Sequence, residues 1–78
     1  MSANTSPIGA SGRVTASGAI RPGKVGEVMV AIRGGVEAFL ARDADGGAIE
    51  AYEEVAVVDY DPPRTVVVTR LYEPEEQG

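Results

Sequence analysis

The aliphatic residues of this chain are almost all branched at Cβ: 11 valines and 4 isoleucines stand against 2 leucines. Branching at Cβ restricts χ1, crowds a helical turn and suits a pleated strand. A helical domain of this size would lean on leucine, so the chain is expected to fold as strands. Its 78 residues hold one domain. Leu, Ile, Val and Phe make up 18 of them, enough for a small core. A body of about 60 residues buries only about 60% of its unfolded surface, so its stability is modest.

Glycine and proline punctuate the chain at short intervals. Residues 12–17 alternate through Arg13, Val14 and Thr15 as a first strand. Arg21-Pro22-Gly23-Lys24 reads as a type II turn, with proline presetting φ and glycine accepting a positive one. Residues 25–33 are the clearest strand: Val28, Val30 and Ile32 share one face, and Glu27, Met29, Ala31 and Arg33 the other. Gly34-Gly35 permits a two-residue hairpin. Residues 36–42 then form the returning strand, although Val36, Phe39 and Leu40 also suit a helical turn. Residues 43–47 are a loop, and residues 48–54 fit either helix or strand. Residues 55–60 and 65–72 are two more strands around the turn Asp61-Pro62-Pro63-Arg64. About five closely spaced strands predict a small all-β barrel over residues 10–72, which also removes sticky valine-rich edges. Residues 1–9 read as a flexible leader and residues 73–78 as a flexible acidic tail.

The residue types exclude most enzymology. Without cysteine or histidine, the chain lacks disulfides, thiolate metal sites and the commonest acid–base group. A serine nucleophile would need Lys24 as its base, with Ser17 the nearest candidate across the turn. Glu50, Glu53 and Glu54 read as a solvated patch beside Tyr52 rather than an acid–base pair. Asp43 and Asp45 open a calcium-like loop, but Gly47 takes a ligand position and Glu50 comes too early to close it. A tight Asx turn accounts for the same residues. We therefore expect no catalytic residue, metal or cofactor.

Charge is split along the chain. Residues 1–42 carry five bases and two acids, a net of +3, while residues 43–78 carry two bases and ten acids, a net of −8. Closing a barrel interleaves the halves, so a mixed, solvated surface is expected. Nucleic-acid binding would need a basic groove with stacking aromatics. The chain has one Phe and three Tyr, no Trp and a net charge of −5. Arg13, Arg21, Lys24 and Arg33 could form a basic strip with Tyr60 and Tyr72 at the rim, but aromatics that plug the barrel ends are the simpler expectation. No apolar run approaches the roughly 20 residues of a membrane span.

Gly9-Ala10-Ser11-Gly12-Arg13-Val14-Thr15-Ala16, followed by Ile20-Arg21-Pro22-Gly23-Lys24-Val25, resembles the opening of the C-terminal domain of NfeD-like proteins. The runs Val55-Ala56-Val57-Val58 and Thr65-Val66-Val67-Val68 fit its later strands, so the resemblance covers residues 9–72. Pro22 lacks the family's intervening residue before Gly23, and Ala51-Tyr52-Glu53-Glu54 replaces its usual short turn. These departures leave the register of strands three and four open. The resemblance implies an OB-like five-stranded barrel that serves as a non-enzymatic protein–protein interaction module. It further implies a partner of the stomatin or flotillin membrane-scaffold class, reached in the cytoplasm at the membrane surface without insertion of this chain. Longer members carry transmembrane helices and a serine protease domain, so an excised domain or a stand-alone relative is expected. The candidate partner-binding residues are Arg21, Pro22 and Lys24 at the first turn and Arg33 beside the hairpin tip. A single-stranded nucleic-acid-binding OB module is the alternative, with no nucleic-acid partner as the first expectation.

The alternation makes one direct prediction. Val30→Asp places an unpaired charge on the inward face, so it should abolish the cooperative thermal transition seen by circular dichroism.

Overall fold

A computed structural model describes residues 6–72 of the chain. The expected tail at 73–78 and the first five residues of the expected leader lie outside the described residues. Five strands form: β1 (Ser11–Val14), β2 (Gly26–Ile32), β3 (Gly35–Asp43), β4 (Glu54–Asp61) and β5 (Thr65–Arg70). They close into one barrel in the order β1-β2-β3-β5-β4, with β1 returning to β4. All neighbours are antiparallel except β3 and β5, which run parallel from the Leu40–Thr65 pair. This is the five-stranded Greek-key connectivity of an OB fold.

Alternation decides which side chains enter. Val14 from β1, Val28 and Val30 from β2, Phe39 and Ala41 from β3, and four valines from β4 and β5 (Val55, Val57, Val66, Val68) fill the barrel. Ile20 and Ile49 close one end: their backbones exchange hydrogen bonds of 2.9 and 3.0 Å, and both side chains are fully buried. The undecided stretch at residues 48–54 is therefore neither helix nor full strand, but one bridge, a turn at Ala51 and Tyr52, and the start of β4. Residues 36–42 are strand, as alternation proposed, with Phe39 buried and Leu40 exposed.

The hairpin differs by one residue from the glycine pair. Ile32 pairs with Gly35, so the turn residues are Arg33 (φ +53°) and Gly34 (φ +80°), the signs of a type I′ turn. A turn at Gly34-Gly35 would direct the same side chains inward, so alternation cannot separate the two registers. Packing selects the one that sets Val28 opposite Phe39 and leaves a non-glycine residue in the left-handed region. The first turn is as expected, with Arg21 and Lys24 bonded to each other and Gly23 at φ +73°.

Two further features were not predicted. A bulge between Val57 and Asp59 shifts the phase of β4, so Tyr60 lies opposite the buried Val66 and packs on the core, while Asp59 is exposed. Ahead of β1, Pro7 is fully buried and the Gly9 N–H donates to the Val57 carbonyl at 2.9 Å.

Gly26 marks the tightest crossing. A Cβ there would lie well inside van der Waals distance of the Gly18 carbonyl oxygen and 2.8 Å from that of Ala19. Both obstacles are backbone and cannot rotate away. Gly26→Ala should therefore lower stability by about 1–3 kcal/mol, read as a lower urea midpoint with an unchanged slope.

Candidate functional site

The predicted partner residues fall into two places. Arg21, Pro22 and Lys24 lie exposed on the turn before β2, whereas Arg33 lies exposed on the turn after it. The length of β2, on the order of 20 Å at 3.3 Å per residue, separates them. They do not form one site. Lys24 and Arg33 have no ion pair among the described residues, while Arg21 is held by Glu50 at 3.2 Å.

The chemistry considered for the other polar residues finds no support in their surroundings. Ser17 and Lys24 are both exposed and make no hydrogen bond to each other, so Lys24 lacks the burial that activates a lysine. Asp43 accepts the Gly47 N–H on its carboxylate at 3.0 Å while its carbonyl accepts the Gly46 N–H at 2.9 Å. The loop is thus the expected tight turn, a backbone turn closed by the Gly46 N–H, with the Asp43 carboxylate bonded four residues on rather than the two of an Asx turn. Among the described residues no cluster of acids is arranged to hold a metal.

The three glutamates remain partly or largely solvated, but they are not unpartnered. Each is taken by a different arginine: Glu54 by Arg13, Glu50 by Arg21, and Glu53 by Arg70 at 2.8 Å. A fourth pair joins Arg64 to Glu37 at 3.2 Å. Three of these pairs join a base and an acid from opposite halves of the chain, so closure mixes the charge as expected. The basic strip imagined for the first half is thereby partly neutralised. The aromatics are mostly structural. Phe39 is buried, Tyr60 meets it edge-on at 6.2 Å and donates to the Pro63 carbonyl, and the Arg64 guanidinium covers Phe39 at 4.8 Å. Tyr72 lies exposed beyond β5.

The sequence reading missed an apolar groove of about 440 Å³ along the outside of β1. Met29, Ala31, Val36, Tyr52 and Leu71 line it, with the Arg13–Glu54 pair alongside. Val36 and Tyr52 are 66% and 62% exposed, unusual for large apolar side chains that serve only the core. The signal was present in the outward face of β2, where Met29 and Ala31 stand instead of charges. A smaller cleft of about 390 Å³ opens between β3 and the β4–β5 turn, lined by Ile32, Arg33, Phe39, Tyr60 and Pro63 together with the Arg64–Glu37 pair.

Fold and surface together define an OB-type barrel with an exposed apolar face. The family model described as the NfeD C-terminal domain matches residues 11–69, and the chain belongs to the NfeD family. The chain is similar to the soluble domain of the NfeD protein YuaF from Bacillus subtilis, at 28% identity and a TM-score of 0.69. That match covers 81% of this chain and 71% of the other. It is also similar to the C-terminal domain of the stomatin operon partner protein 1510-C from Pyrococcus horikoshii, at 36% identity and a TM-score of 0.60. Here 85% of this chain and 89% of the other are covered. No curated protein matches the chain significantly.

The Glu53–Arg70 pair carries a pH dependence. Burial of the Glu53 carboxylate, the largest single influence, raises its pKa. The Glu50 N–H, together with the hydrogen bond and charge of Arg70, outweighs burial and holds Glu53 below its ordinary value of 4.5. A depressed folded-state pKa gives stability that is present above the unfolded value and is lost as pH falls through the folded one. Between about pH 5 and pH 3, the melting temperature of the wild type should therefore fall more than that of Glu53→Gln.

Proposed function

We propose that this domain is a non-enzymatic protein-interaction module that acts with a membrane scaffold protein of the stomatin or flotillin class. The observation that carries the reading is the 36% identity, over 85% of the chain, to a protein named as a partner in a stomatin operon. The surface is suited to such a role. Met29, Ala31, Val36, Tyr52 and Leu71 offer an apolar face around a neutralised ion pair, a composition that favours protein contact. Arg21, Pro22 and Lys24 at one end of β2 and Arg33 at the other are the proposed polar contacts, with Lys24 and Arg33 carrying the charges not already paired. The site of action is the cytoplasmic membrane surface, reached through the partner. Among the described residues no helix is long and apolar enough to cross a membrane.

The nucleic-acid alternative has less behind it. OB folds commonly read nucleic acid on the face of strands two and three. Here the outward residues of β2 and β3 include Met29, Ala31, Val36, Ala38 and Leu40 but no aromatic ring on which a base could stack.

Affinity capture from detergent-solubilised membranes of the source organism, read by mass spectrometry at moderate salt, tests the proposal. A stomatin- or flotillin-class protein should be enriched by the wild type and reduced about tenfold by Lys24→Glu or Val36→Asp. Capture of nucleic-acid-bound proteins instead, abolished by nuclease, would overturn the reading in favour of the alternative.

A further inference from the structure

The strand β3 has nine residues, but its two neighbours do not cover it equally. On one side β2 pairs with it from Gly35 to Ala41. On the other side β5 joins only at Leu40, opposite Thr65. The Leu40 N–H donates to the Arg64 carbonyl at 2.8 Å, which shows that Leu40 turns its backbone groups away from β2. Residues two apart along a strand turn theirs the same way, so Val36 and Ala38 do so as well. The Arg64 guanidinium takes the Ala38 carbonyl. Among the described residues, no strand lies beside the Val36 N–H, the Val36 carbonyl or the Ala38 N–H. These three groups have the spacing of a ladder and lie on an exposed edge.

Arg33 indicates the chemistry of an occupant. It stands three residues before Val36, exposed, and has no ion pair among the described residues. Arg13, Arg21, Arg64 and Arg70 each have a carboxylate, and Arg42, the other arginine without one, lies beyond Leu40 where β5 already covers the edge. It also occupies a left-handed backbone position where glycine or asparagine would be less strained. A guanidinium is thus held at a turn that favours another residue, beside the open edge. The cleft formed with Ile32, Phe39, Tyr60 and Pro63 adjoins the same edge. The Arg64–Glu37 ion pair also lines it, so it offers an added strand mixed apolar and polar walls in which Glu37 is already neutralised.

We infer that the β3 edge at residues 36–38 captures an extended acidic segment of a partner protein by strand addition, with Arg33 neutralising a carboxylate of that segment. The class of occupant rests on the protein-interaction reading above; the identity of the scaffold is not used.

The test titrates the isotopically labelled protein with a synthetic peptide of about ten residues that alternates valine with glutamate, at low salt. The Val36 and Ala38 amides should shift and exchange at least about tenfold more slowly, while the Leu40 amide, already bonded, stays unchanged. A lysine-for-glutamate peptide should bind about tenfold more weakly. Arg33→Gly, which suits the left-handed turn, should weaken the glutamate peptide about fivefold without loss of folding. Unperturbed Val36 and Ala38 amides at millimolar peptide, or equal binding of both peptides, would overturn the inference. Protection that rises with protein concentration in the absence of peptide would overturn it in favour of a second copy as occupant. Scaffold capture with these two amides still exchanging freely in the complex would overturn strand addition and leave the proposed function standing. Peptide addition without scaffold capture would do the reverse.

Discussion

The barrel closes through β1, four residues that pair with β2 along one side and β4 along the other. Without it the sheet would be open, with valine-rich edges on β2 and β4 facing solvent. Closure by so short a strand demands close backbone approach around it. The segment after β1 must then cross the start of β2 at Gly26, where no side chain fits. That crossing carries Ile20 to the barrel end, where it meets Ile49 and completes the core. The small core therefore depends on a backbone path as much as on the valines that fill it.

The same closure determines the surface. It brings Arg13 and Arg21 from the basic half against Glu54 and Glu50 from the acidic half, which neutralises cations that a linear reading would offer to a polyanion. Exposed pairs of this kind add little stability. They also change which cations stay unpaired: among the described residues Lys24 and Arg33 at the turns flanking β2, and Arg42 in β3, have no ion pair. The outer surface of β1 is left with a mainly apolar groove, and β3 is left longer than the strand beside it.

Much of this was legible beforehand. Period-two alternation placed Val28 and Val30 inside and Met29 and Ala31 outside, and Pro22-Gly23 marked its turn, because both signals depend on neighbours in the chain. The hairpin register was not legible, since turns at Arg33-Gly34 and Gly34-Gly35 leave identical faces inward. Tyr60 packs inward, in keeping with the expectation that aromatics plug the barrel, but the bulge that turns it toward Phe39 is set by pairing with β5 and leaves no mark in β4 alone. The pairing of the glutamates near Tyr52 was hidden for a similar reason. Their arginine partners lie up to 41 residues away along the chain.

By itself, then, the sequence determined strand content, the inward residues, the principal turns and the absence of the side chains that most catalysis uses. These follow from local sterics, from alternation across a pleat and from residue chemistry. The tertiary structure decided the hairpin register, the phase of β4, the partner of each charge and the residues that remain exposed. Each of these depends on which strands become neighbours, and that choice is made by the packing of one shared core.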